Sequence, residues 1–238
     1  MTSPQDRLII ALDVNTLQAA KKIIDETSDF CTTYKVGLEL FSACGPAAIN
    51  LVKQAKARVF LDLKLHDIPQ TVSAAIRQAV AQDVDFLTIH ALGGSVMLKK
   101  ASQEIGLQCK LRLLAVSVLT HHSDAEIKSM GFTQTSLELV LNLLQQAYQT
   151  GIRGCVCSPL EAPAVRAAFG PHMTIICPGV RPNGSASNDQ SRIATPTMAI
   201  QNGADHIVVG RPITQAANIK QAAASVLREI QEGLYAKK

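Results

Sequence analysis

Tryptophan is missing from the sequence, and aromatic residues fill only 4% of its 238 positions. An aromatic platform for stacking nucleic-acid bases is therefore not expected. The formal net charge is +4, but no basic run of the nucleic-acid-binding type occurs. That mild excess favours a soluble chain and anionic ligands. No apolar stretch reaches membrane-spanning length. The opening "MTSPQDRLIIALDV" lacks the basic-then-apolar layout of a secretory signal, so a cytoplasmic protein is expected. None of the six cysteines (Cys31, Cys44, Cys109, Cys155, Cys157 and Cys177) forms a C-x-x-C pair or shares zinc spacing with histidines. They read as reduced core thiols. No Gly-x-Gly-x-x-Gly follows the first strand, which counts against a dinucleotide fold.

What the sequence has in quantity is apolar residues, at 47%. Short β-branched runs alternate with longer helical patterns. Strands are expected at 7–14, 31–38, 58–65, 85–92, 111–120, 154–158, 173–180 and 206–213. Helices are expected over "NTLQAAKKIIDETS", "QTVSAAIRQAVAQ", "TSLELVLNLLQQAYQTG" and "ITQAANIKQAAASVLREIQEG". Strand–helix alternation implies a parallel sheet with right-handed crossovers. Eight units of about 30 residues each match the size of a βαβ step. No linker or compositional break divides the chain. The expected fold is α/β, a single (β/α)8 TIM barrel over residues 1–238, with an open doubly wound sheet as the alternative.

Polar residues recur at the strand ends, where barrels place their chemistry. Asp13 ends the first strand, Lys35 lies near the end of the second, and Asp62 and Lys64 end the third, with Asp67 just beyond. His90, then Ser117 and Thr120, then Ser158 follow on strands four to six. Strand exits meet solvent in any fold, so Ser158 and His90 read equally well as exit residues. Lys35, inside "TTYKVGLELF", needs an acidic partner, and Asp62 suits that role. Asp62 and Lys64 are two apart and share one face, while Leu63 and Leu65 face the helices. A row of Lys35, Asp62 and Lys64 would keep Lys64 protonated. A purely structural ion network is the competing reading.

Phosphate is commonly bound by the loops after strands seven and eight of a barrel. "CPGVRP" and "VVGRPI" fit that role. Gly179 and Gly210 allow close backbone approach, and Arg211 offers a planar donor fork, while Arg181 reads either as part of the same end or as a solvated surface arginine. "NGSASNDQSR" between them reads either as a plain loop or as a lid carrying Gln190.

Together the pieces "IIALDV", "YKVGLELF", "DLKLHDIPQT", "SVLT", "PGVRP…DQSR…TP" and "GADHIVVGRPI" resemble the orotidine 5'-phosphate decarboxylase family, in the family's order and over essentially the whole chain. The resemblance implies a homodimeric (β/α)8 barrel that converts orotidine 5'-monophosphate to UMP without metal or organic cofactor. It implies that Lys64 protonates C6 of the pyrimidine and that Asp62 sits near the departing carboxylate. Lys35 joins them in the charged row. Asp67, Ile68 and Thr71 would reach the other subunit's site, Asp67 completing the row there. Asp13 and Lys35 would bind the ribose region, and Ser117 and Thr120 would line the pyrimidine side. Arg181, Gln190, Gly210 and Arg211 would hold the phosphate. Leu65 and Gln70 occupy variable positions, His66 is assigned structure, and His121 stands where a serine is common. Two rivals remain: a Mg²⁺-dependent barrel decarboxylase of 3-keto sugar phosphates sharing D-x-K-x-x-D, and a non-catalytic barrel that binds phosphate ligands. The "HDIP" extension and the "DQSR" loop point away from the metal-dependent group.

Overall fold

Eight apolar runs become eight short strands: β1 (Leu8–Ala11), β2 (Thr33–Gly37), β3 (Arg58–Leu65), β4 (Phe86–His90), β5 (Arg112–Val116), β6 (Gly154–Val156), β7 (Thr174–Cys177) and β8 (His206–Val209). The computed structural model describes residues 3–106, 109–183 and 194–236. Every strand pairs in parallel with its sequence neighbours, and β8 returns to β1, closing the barrel in the order β1 to β8. The TIM barrel expectation holds, and closure rules out the open sheet. No described helix is long and apolar enough to cross a membrane.

The two-residue strand period sorts side chains onto two faces. Ile9, Ala11, Phe60, Phe86, Leu114, Ile176 and Val208 form one buried cluster, the barrel's interior. Their neighbours Leu8, Ile10, Tyr34, Val36, Leu61 and Leu87 join a larger cluster shared with the helices. Burying a Val, Leu, Ile or Phe side chain contributes about 1.5–3 kcal/mol, so both layers hold the barrel together. The interior is filled to the point of needing a glycine. A Cβ on Gly154 would lie 2.6 Å from Leu114 Cδ2 and 2.8 Å from the Leu113 carbonyl oxygen.

Helix boundaries follow capping chemistry. Thr16 accepts the Ala19 amide and starts the helix Leu17–Thr27. Thr135 and Glu138 form a capping box on Ser136–Gln149. Pro69 opens the helix Pro69–Ala81 at its first turn. The expected last helix from residue 213 is in fact two. Arg211–Thr214 is one turn, and the Asn218 side chain then accepts the Gln221 amide and starts Ile219–Tyr235 afresh. A capping Asn inside an apolar periodic pattern broke it.

Candidate active site

At the C-terminal end of the barrel, inward positions continue past the core layer into a cleft of about 250 Å³. Ala11, Phe60, Val116, Val156 and Val208 form its apolar floor. Asp13, Lys35, Asp62, Lys64, Thr120, Gly179, Arg181, Gly210 and Arg211 all line it, as the strand-end reading expects. The four cationic side chains outnumber the two carboxylates, which gives the cleft an affinity for anions.

The charges form a chain of contacts. Lys35 Nζ donates to Asp13 Oδ1 at 2.9 Å and lies 3.7 Å from Asp62 Oδ2. Lys64 Nζ donates to both Asp62 oxygens, at 2.9 and 3.0 Å. Side-chain exposure is 12% for Lys35 and 13% for Asp62, so these are paired, largely buried ions. Burial pushes the Asp62 carboxyl up, but Lys35 and Lys64 outweigh it and hold Asp62 below the usual carboxylate range.

Strand β3 leaves regular geometry at this point. Leu61 pairs with Leu87 and Leu65 with Ile89, so four residues of β3 advance against two of β4. Within that bulge Lys64 has φ +49°, the left-handed region, which costs a residue with a Cβ roughly 1–2 kcal/mol. The Lys64 amide donates to Thr88 Oγ1 at 2.9 Å, and Thr88 Oγ1 donates to Asp62 Oδ1 at 3.0 Å. Thr88 is fully buried on β4. Sequence reasoning passed over it, because a threonine in "DFLTIHAL" is an ordinary strand residue; only the unusual register gives it these partners.

Gly37 also escaped notice. A Cβ there would lie 2.7 Å from Lys35 Nζ and 3.2 Å from Asp13 Oδ1. Its lone signal is position, two residues beyond a lysine at a strand end.

Several expected residues lie outside the cleft. Ser117 is 1% exposed and does not line it; the inward residue beside it is Val116. Its place at a strand end suggested the site, but alternation puts it on the other face. Asp67 and Ile68 line a separate depression with His66, Pro69, Leu92 and Gly93. Thr71, at the start of the next helix, is exposed. Ser158 is buried, with its amide donating to Glu161 Oε2 and its hydroxyl accepting the Leu160 amide, so it organises the exit from β6. His90 stacks on His66 at 5.2 Å between ring centroids. His121 lines the cleft. Gln190 lies outside the described residues.

Comparison with known proteins shows which family the chain resembles. The profile of the "Orotidine 5'-phosphate decarboxylase / HUMPS family" matches residues 6–226. The chain is 42% identical over 230 residues to orotidine 5'-phosphate decarboxylase of Methylobacterium sp. (strain 4-46), covering 97% of this chain and 98% of that one. It is 43% identical over 234 residues to the same enzyme of Trichlorobacter lovleyi, covering 97% of each. Among solved structures, that of orotidine 5'-phosphate decarboxylase from Lactobacillus acidophilus is similar with a TM-score of 0.81 at 35% identity, over 94% of this chain and 98% of that one.

Proposed function

The chain belongs to the orotidine 5'-phosphate decarboxylase family, and we propose that the charged row at its barrel mouth performs the reaction, with Lys64 as the acid. The enzyme is a carboxy-lyase that decarboxylates orotidine 5'-monophosphate to UMP, in the de novo synthesis of pyrimidine nucleotides. The observation that carries the site reading is the layout of one cleft: the Asp13–Lys35–Asp62–Lys64 row shares it with Arg181 and Arg211.

That layout suits a nucleotide with a carboxylate on its base. The guanidinium groups of Arg181 and Arg211, with Gly179 and Gly210 beside them, take the phosphate. Asp13 and Lys35 take the ribose, and Thr120 faces the pyrimidine. The C6 carboxylate then lies toward Asp62 and Lys64. When the C6–carboxylate bond breaks, CO₂ leaves and the electron pair stays on C6. The Lys64 ammonium stabilises that pair and transfers its proton to C6, giving UMP. Asp62 is held ionised, so it repels the bound carboxylate and not the neutral CO₂. Phosphate binding at the far end supplies binding energy that orders the reacting groups.

The second part of the reading is a homodimer with shared sites. Asp67 and Ile68 are exposed and outside their own chain's cleft, and Ile68 is 66% exposed. An apolar side chain so exposed beside a carboxylate suits insertion into a second copy. Asp67 of the partner subunit would then complete the row next to Lys64.

The test follows the absorbance change as orotidine 5'-monophosphate becomes UMP, with and without EDTA. Turnover is expected to survive the chelator. Lys64→Ala is expected to lose turnover almost entirely while still binding UMP. Loss with EDTA and recovery with Mg²⁺ would instead support the metal-dependent sugar-phosphate reading. Normal turnover by Lys64→Ala would remove Lys64 from the chemistry.

A further inference from the structure

We propose that Thr88 is a positioning residue for the decarboxylation: its single hydroxyl fixes the backbone of Lys64 and the carboxylate of Asp62 at once. The inference rests on the assignment of Lys64 and Asp62 to the reaction.

The direction of both hydrogen bonds is forced. The Lys64 amide can only donate, so Thr88 Oγ1 accepts it, at 2.9 Å. The Asp62 carboxylate can only accept, so the one proton on Thr88 Oγ1 goes to Asp62 Oδ1, at 3.0 Å. No other arrangement of the hydroxyl serves both partners. Thr88 is also rigidly held, being fully buried and β-branched on a strand bonded to β3 and β5.

The bulge makes this tie necessary. Between Leu61 and Leu65 the register with β4 shifts, and Lys64 takes φ +49°. The regular ladder no longer fixes the direction in which Lys64 leaves the strand. The bond from its amide to Thr88 takes over that task. The bond from Thr88 to Asp62 aligns the carboxylate whose two oxygens receive Lys64 Nζ. A closed circuit results: Lys64 amide, Thr88 hydroxyl, Asp62 carboxylate, Lys64 ammonium. Thr88 does not line the cleft, so it acts through the two charged groups.

The test compares Thr88→Val, which keeps the shape and removes the hydroxyl, with Thr88→Ser, which keeps the hydroxyl. Displacing a reacting group by a fraction of an ångström costs on the order of 10- to 100-fold in kcat, and that loss is expected for Thr88→Val. KM and the inhibition constant of UMP are expected to stay within about 3-fold, because the phosphate and ribose contacts are intact. Thr88→Ser is expected to recover most of kcat. The inference fails if Thr88→Val keeps kcat within about 3-fold, if its UMP binding weakens as much as its kcat, or if Thr88→Ser is as slow as Thr88→Val. Lys64→Ala, assayed alongside, separates the two levels. If it turns over normally, the assignment of Lys64 falls. If it is inactive while Thr88→Val is normal, only the role of Thr88 falls.

Discussion

A methyl group on Gly37 would meet Lys35 Nζ at 2.7 Å, nearer than any real Cβ contact. The atom that must yield is the tip of a flexible side chain, so the fold can tolerate the change. The ion row cannot tolerate it as easily, because Lys35 Nζ holds Asp13 at 2.9 Å and faces Asp62 at 3.7 Å. Gly37 has φ −95°, open to any residue, so backbone strain adds nothing. Gly37→Ala is therefore expected to melt within a few degrees of the wild type and to lose about 10-fold or more in kcat/KM. A thermal melt and a steady-state assay on the same preparation decide it. Wild-type kcat/KM would show that Lys35 can move without consequence. Asp62 illustrates the complementary effect, a group held in place by its partners. Removing one partner of a buried ion pair costs about 3–5 kcal/mol, so changes at the largely buried Lys35 are expected to reach stability as well as rate.

The end of strand β4 carries a pH dependence. His90 Nδ1 accepts the Leu92 amide at 3.3 Å, which requires a neutral ring. Burial, then the neighbouring His66 and Lys64, push its pKa down to about 4. Unfolded, the same ring takes a proton near pH 6.5. Between those values the unfolded chain binds a proton that the folded chain refuses, so acidification from pH 6.5 to 4 removes stability. Half-buried His206, also pushed down by desolvation, adds to the same trend. Melting temperatures measured across this range are expected to fall with pH, and to fall less steeply in His90→Asn. Equal slopes would exclude His90 as a contributor. These element ends also mark how far the sequence could be read. All eight strands were visible, because β-branched apolar runs record burial on two faces. The charged row was visible too, because Asp62 and Lys64 share a face by simple alternation. Thr88 and the left-handed Lys64 were not, since both depend on a register shift between strands that no local pattern encodes. Ser117 lies outside the cleft for the converse reason: its strand-end position was legible, but one step of alternation turns it to the other face.

At the scale of the molecule, residues 59–71 divide between two environments. Asp62 and Lys64 face their own cleft, while Asp67 and Ile68 lie on a separate surface with Leu92. Exposed apolar side chains follow the ends of three consecutive strands: Leu38 after β2, Ile68 after β3, and Leu92 and Val96 after β4. Ile68 and Leu92 share one depression with Asp67, apolar exposure that suits a second copy of the chain, and a two-fold axis would send each Asp67 toward the other Lys64. The arrangement makes a quantitative prediction. Lys64→Ala and Asp67→Ala homodimers are each expected to be inactive, since every site in them lacks one group. After free exchange, half of the dimers are hybrids. In a hybrid, one site has both substitutions and the other has neither. The mixture is therefore expected to recover about a quarter of wild-type activity, one good site in two within half of the dimers. Subunit exchange is verified independently, by mass or by differently tagged chains. If exchange is complete and activity stays at the level of the separate variants, Lys64 and Asp67 do not meet across an interface.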